Sequence, residues 1–265
     1  MRILVTFAVD AEFAPWKRRH AFERVPVPTP AGSGEYGLYR GTAFENDVDV
    51  LLTGIGWDDD GRAEPPRFLL RELLKRGPHI CISTGLAGGL KADMRCGDIV
   101  AASEVGVRTG GDPMHSSANL LTIAGDAGAR IEKKQITETR MVSDASAKAA
   151  LSEFGDIVDM EGYHVLQIVS GTRIPAISVR AISDTLDQNL PSGIEEFVDR
   201  QGHVQTLPLL KAIATHPGRI PSLLSFGARS RDAAVRLADF LDRFLQAAGG
   251  DRSEAQAKRE KVAAG

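Results

Sequence analysis

Apolar positions along the chain follow two alternating patterns. Near-continuous aliphatic or β-branched runs fill residues 2–9 (RILVTFAV), 79–84 (HICIST), 97–107 and 175–184 (PAISVRAISD), which is how strands buried on both faces read. Between them, Phe68, Leu69, Leu70, Leu73 and Leu74 recur at helical spacing ahead of Gly77, a natural C-terminal stop. Residues 143–155 (SDASAKAALSEFG) and 161–171 (EGYHVLQIVSG) predict two more helices, the first with Ser143 or Asp144 as its cap. Residues 35–45 and 48–56 read as paired strands turning at Asn46-Asp47. Shorter strands are expected at 136–142 and 156–161, and Pro- or Gly-rich loops at 26–34, 85–89 and 108–118. Residues 119–135 fit neither pattern. Residues 191–247 read as mostly helical, interrupted by Pro208, Pro217 and Pro221, and 249–265 as a polar tail or a helix extension. Strands alternating with helices predict one α/β domain over residues 1–248, with helices on both faces of its sheet.

Composition narrows the field of partners. Lys plus Arg number 32 against 35 for Asp plus Glu, a net charge of −3 over 265 residues. That balance gives no global electrostatic reason to bind nucleic acid or an anionic membrane. Cys81 and Cys96 are too few for a disulfide framework, and a reducing cytoplasm is the simpler expectation. The apolar start is cut short by Asp10 and Glu12, which argues against a signal peptide, and no run is long enough for a membrane span.

Several chemistries are absent from the motifs. The histidines at 20, 79, 115, 164, 203 and 216 have no ligand-like spacing, so no metal is expected. Gly54-x-Gly56 lacks the third glycine of a dinucleotide fingerprint, because Asp59 stands in its place. There is no phosphate-cradling P-loop and no Ser nucleophile elbow. What remains is polar residues at strand ends, where open α/β sheets bind ligands: Glu12, the 83–89 segment, Glu161 and Ser183-Asp184. Taken singly, each has a plain use as a helix-start carboxylate, a tight turn or an N-cap.

Read in order, four segments resemble the nucleoside phosphorylase and nucleosidase family: AVDAE (8–12), TGIG (53–56), STGLAGGL (83–90), and VDMEG (158–162) followed by RAISDTLD (180–187). The similarity covers about residues 1–190. GHVQTLPLLKAIATHPGRIPSLLSFG (202–227) resembles the hopanoid-associated phosphorylase branch. The resemblance implies a three-layer αβα fold with a central mixed, mostly parallel sheet. It also implies cleavage of the N-glycosidic bond of an adenosine-type purine nucleoside, without a cofactor, in a homodimer or larger assembly.

The resemblance further assigns residues. Asp184 would protonate or hydrogen-bond N7 of the departing base and Ser183 would orient it. Glu161 would accept hydrogen bonds from the ribose hydroxyls, with Met160 against the sugar face. Glu12 would take a proton from attacking water. Ile55, Leu86, Ala87 and Gly88 would line the pocket. Phosphorylases of the family carry Arg where this chain has Ser83, and a hydroxyl where it has Leu86. Hydrolysis is therefore the expected reaction. Phosphorolysis, with phosphate as co-substrate and charge supplied by Arg18, Arg19 or Arg108, is the alternative, including phosphorolysis of an adenosylated hopanoid. A non-catalytic nucleoside-binding protein is another. Leu207, Leu209, Leu210, Ile220, Leu223, Leu224 and Phe226 could line the entrance for an apolar 5′ group, although helix packing is the commoner use of such residues. Gly162, where the family has Ala or Ser, is a further departure.

Overall fold

The computed structural model describes residues 1–27, 37–57, 64–191, 218 and 220–263. The expectations placed on 202–217 and on most of 26–34 lie outside them. In chain order the elements are β1 (Arg2–Phe7), α1 (Asp10–Lys17), β2 (Glu23–Arg24), β3 (Leu38–Ala43), β4 (Asn46–Leu52), α2 (Glu64–Lys75), β5 (Ile80–Gly89), β6 (Ile99–Val107), β7 (Met114–His115), α3 (Ala118–Asp126), β8 (Arg130–Thr137), α4 (Ala145–Leu151), β9 (Ile157–Asp159), α5 (Gly162–Ser170), β10 (Ala176–Asp184) and α6 (Ile220–Ala263).

The described strands form one mixed sheet. Parallel ladders β1–β4, β1–β5, β5–β10, β6–β8 and β8–β9 carry most of the paired length. The sheet is open at β2–β3–β4 but rolls up at its other side, since β5, β10, β6, β8 and β9 pair in a closed ring. Rolling depends on β5. Its first half lies between β1 and β10, and at its end Gly88 and Gly89 pair with β9 on the side that β1 has left.

Alternation along the strands sorts side chains to two helical layers. On β1, Ile3, Val5 and Phe7 face a cluster with Phe13 and Trp16 of α1, Leu120 and Ile123 of α3, and α6. Leu4 faces the opposite cluster, made with Leu70, Leu73 and Leu74 of α2 and Val165, Leu166 and Val169 of α5. Helix α6 contributes Ala233, Leu237, Phe240, Leu241, Phe244, Leu245 and Ala248, the spacing of one buried stripe. Its joint with α1 is polar as well: the Trp16 indole N–H donates to Asp242 (2.7 Å), which His20 and Arg19 also contact. Pro221 sits in the first turn of α6, where a missing N–H is harmless, so it starts a helix rather than interrupting one. Among the described residues no helix is long and apolar enough to cross a membrane.

Several segments differ from the sequence pattern. Residues 85–89 continue β5 rather than forming a loop. Small side chains there reflect crowding, with other side chains pressed against the strand. The expected 136–142 strand ends at Thr137, and the ambiguous 119–135 stretch is α3 followed by most of β8. The β3–β4 turn falls at Phe44-Glu45, both with positive φ (48° and 61°), because Asn46 already pairs with Ala43 as the first residue of β4. The Asn46 amide donates to the Ala43 and Phe44 carbonyls (3.2 and 2.9 Å), and its oxygen accepts from the chain's terminal ammonium (3.1 Å). That network pins the turn on two residues poorly suited to it. Replacing Glu45 with Gly should therefore raise stability by about 0.5–1 kcal/mol, read as a higher urea midpoint; a lower midpoint would show that the turn is not strained.

Candidate active site

A cavity of about 700 Å³ opens where β1, β4, β5, β9 and β10 end. Its floor is built from carboxylates. Glu12 lies in the first turn of α1, where an acid suits the helix N-terminus. It is buried and accepts the N–H groups of Ala8 (3.0 Å) and Leu86 (2.9 Å), with Val9 at 3.4 Å. A Cβ on Gly85 would come within 3.0 Å of its Oε2, so a side chain at 85 would displace the acid. Burial pushes the Glu12 carboxyl above its ordinary value, against the pull of those N–H groups and of Arg180.

Glu161 follows β9 and is half-buried. Its Oε1 accepts the Gly56 N–H (2.9 Å), which ties the loop after β4 to the loop after β9. Burial, then the neighbouring Asp159 charge, pushes its carboxyl up to about 8. Asp159 itself is held by Arg180 Nε and Nη2 (3.0 and 2.6 Å), the Thr137 hydroxyl (2.6 Å) and the Gly162 N–H (2.8 Å). Arg180 is also buried and donates to the Ser83 carbonyl (2.7 Å) and hydroxyl (3.0 Å). The departure at Gly162 has a steric reason: a Cβ there would lie 2.1 Å from Gln135 Nε2 and 2.8 Å from Asp159 Oδ2.

Ser183 and Asp184 reach the cavity through a β-bulge. The β5–β10 register shifts between Ile182 and Asp184, with Asp184 opposite Gly88. In a regular strand 183 and 184 would face opposite sides, whereas the bulge brings both to the cavity lining. The Ser183 hydroxyl lies 2.7 Å from Asp184 Oδ1. On the other oxygen sits the ammonium of Lys148, which is 0% exposed and also donates to the Thr185 and Gln188 carbonyls (3.0 and 2.8 Å). Gly88 leaves room for this pair, since a Cβ there would meet Asp184 Oδ2 at 3.2 Å.

All nine residues assigned from sequence line this one cavity: Glu12, Ile55, Leu86, Ala87, Gly88, Met160, Glu161, Ser183 and Asp184. Ile220, Leu223, Leu224 and Phe226 line it too, so these four serve the cavity wall rather than ordinary helix packing. Arg18 is at the cavity, but Arg19 pairs with Asp239 and Asp242, and Arg108 with Glu138. Lys148, Asp159, Arg180, Arg140 and Arg231 were not legible as site residues. Lys148 carried no signal in the sequence; its burial on a short helix is seen only in the structure. Among the described residues no group of His, Cys, Asp and Glu is arranged to hold a metal ion.

Residues 2–208 match the model of the Phosphorylase superfamily. The chain is 28% identical over 191 residues to a 5′-methylthioadenosine/S-adenosylhomocysteine nucleosidase of Glaesserella parasuis, covering 61% of this chain and 78% of that one. It is 25% identical over 234 residues to the protein of that name from Shewanella halifaxensis, covering 79% and 97%. A futalosine hydrolase mutant of Helicobacter pylori has a similar fold, with a TM-score of 0.67 at 17% identity over 92% of this chain and 98% of that one.

Two outcomes follow from the buried charges. Lys148→Met leaves Asp184 without its cation and should destabilise the fold by about 3–5 kcal/mol, read by urea unfolding; an unchanged midpoint would exclude the buried pair. Glu161 has a raised pKa in the folded state, from 4.5 to about 8. Its contribution to stability is therefore full below the unfolded value and is lost as pH rises through the folded one. The thermal midpoint should fall between about pH 4.5 and pH 8, and Glu161→Gln should flatten that fall; a variant with the wild-type slope would assign the effect to another group.

Proposed function

The chain belongs to the Phosphorylase superfamily, and from that premise we propose that it hydrolyses the N-glycosidic bond of an adenosine-type nucleoside and releases the free base. The observation that carries this reading is the convergence of Glu12, Glu161 and Asp184 on one cavity. Relatives named methylthioadenosine/S-adenosylhomocysteine nucleosidase support the purine and its 5′ thioether arm.

As the C1′–N9 bond breaks, its electrons move onto the purine and positive charge builds on the sugar ring. Asp184 delivers to N7 a proton that it shares with the Lys148 ammonium, which makes the base a better leaving group. Ser183 fixes the rotation of that carboxyl. Glu161 accepts hydrogen bonds from the ribose hydroxyls and stabilises the oxocarbenium-like sugar electrostatically. Water adds its oxygen to C1′ and gives a proton to Glu12. A carboxylate whose pKa is raised toward neutrality is the stronger base for that transfer. Leu86 supplies its backbone N–H to Glu12 (2.9 Å), a contribution that does not need a hydroxyl side chain.

Phosphorolysis would require a dianion beside the sugar. The two cations buried behind the floor are already committed, Arg180 to Asp159 and Ser83 and Lys148 to Asp184, which favours water. A homodimer or larger assembly belongs to the same proposal, and light scattering tests it.

Incubation with methylthioadenosine in phosphate-free buffer should release adenine. Asp184→Asn should lower kcat by about 10²–10⁴, and Glu12→Gln should lower it by a similar factor, both with nucleoside binding retained. Release only with phosphate would make the protein a phosphorylase. Tight binding without release would make it a binding protein. Full activity in either variant would remove that residue from the mechanism.

A further inference from the structure

Two buried cations stand behind the floor of the cavity, and they differ in one chemical respect. Arg180, behind Asp159, carries a guanidinium that keeps its proton. Lys148, behind Asp184, carries an ammonium that can part with one. Lys148 is 0% exposed, and its Cε lies 3.8 Å from where a Cβ on Gly88 would stand, so α4 threads it in beside the end of β5. A buried ion pair is weak evidence for stability, since apolar side chains of the same volume often serve a fold as well. Chemistry explains a lysine here better than packing does.

The partners of Lys148 fit either side of a proton transfer. As an ammonium it has three N–H groups and meets three acceptors: Asp184 Oδ2 and the carbonyls of Thr185 (3.0 Å) and Gln188 (2.8 Å). Once a proton has moved to Oδ2, the amine's two N–H groups still serve the two carbonyls, and its lone pair accepts from Oδ2–H. No partner is lost in either state, and the Ser183 hydroxyl stays on Oδ1 (2.7 Å). We infer that Lys148 stores the proton that leaves with the base, and that Asp184 carries it to N7. The inference rests on the nucleosidase reading and deepens it by giving the acid a reservoir. An Nζ–H bond breaks as Oδ2–H forms; that bond then breaks as N7–H forms and the C1′–N9 electron pair moves onto the purine. Lys148 is recharged through Asp184, which lines the cavity, while the proton that Glu12 took from water returns to solvent. The other charged or titratable groups acting on this corner are Asp187, from the turn after β10, Cys96, whose thiol donates to the Ser183 carbonyl (3.3 Å), and Arg229 of α6, whose charge acts on Cys96.

The test compares two substrates that share a 5-methylthioribosyl group, one carrying adenine and the other 4-nitrophenolate. Nitrophenolate departs as a stable anion and needs no proton, so its release shows that a variant is folded and still holds the sugar. The ratio of adenine to nitrophenolate release then isolates the acid, because Glu12 and Glu161 serve both substrates. In the wild type this ratio should stay level from about pH 6 to about pH 9. Lys148→Gln keeps two N–H donors for the two carbonyls but leaves Asp184 to hold a proton of its own. Its ratio should fall by about tenfold for each pH unit as that carboxyl ionises. In Lys148→Arg, whose guanidinium pairs with Asp184 but keeps its proton, the ratio should lie below wild type by about 10²–10⁴ throughout. A Lys148→Gln ratio parallel to that of the wild type, or a Lys148→Arg ratio equal to it, overturns the inference: Lys148 is then a counter-ion only, and the nucleosidase reading stands. Adenine released by none of the three chains, with or without phosphate, removes that reading and this inference with it.

Discussion

Four carboxylates face one cavity, and two cations buried behind them make that arrangement tolerable. Arg180 touches Asp159 with two nitrogens and braces the Ser83 backbone. Lys148 meets Asp184 and two carbonyls. Neither cation is reachable by solvent to any useful extent. Removing charge from water is expensive unless every donor and acceptor finds a partner, and here nearly all do. The cations neutralise Asp159 and Asp184 locally, while Glu12 and Glu161 rely on backbone N–H groups and are pushed up in pKa.

Backbone irregularity does the positioning. The bulge before Asp184 turns two consecutive side chains toward the same space, and the change of partner along β5 brings β9, with Glu161 just beyond it, to the end of β1. Gly85 and Gly88 sit where β5 passes closest to Glu12 and Asp184. The site therefore depends on where the sheet departs from regularity more than on any loop.

Much of this was legible in the chain because burial leaves a periodic trace. The runs at 2–9 and 175–184 became β1 and β10, and the Leu69-to-Leu74 spacing became α2. Glu12, Glu161 and Asp184 could be read because each polar residue closely follows an apolar strand. Lys148 could not, since its partner lies on a different element and SAKAAL looks like an ordinary exposed helix. Residues 85–89 misled because small residues signal a turn and a crowded strand alike. The turn at Phe44-Glu45 was displaced from Asn46-Asp47 because Asn46 works through its side chain, a tertiary role that local propensity does not encode.

Helix α6 divides its labour along its length. Its stretch from Ala233 to Ala248 is bolted into the core, while the turns from Ile220 to Arg231 form the outer wall of the cavity. Anchoring and cavity lining thus occupy separate stretches of one rod. Substitutions in the outer turns would reshape the cavity wall while the carboxylates beneath and the foundations of the sheet stay as they are.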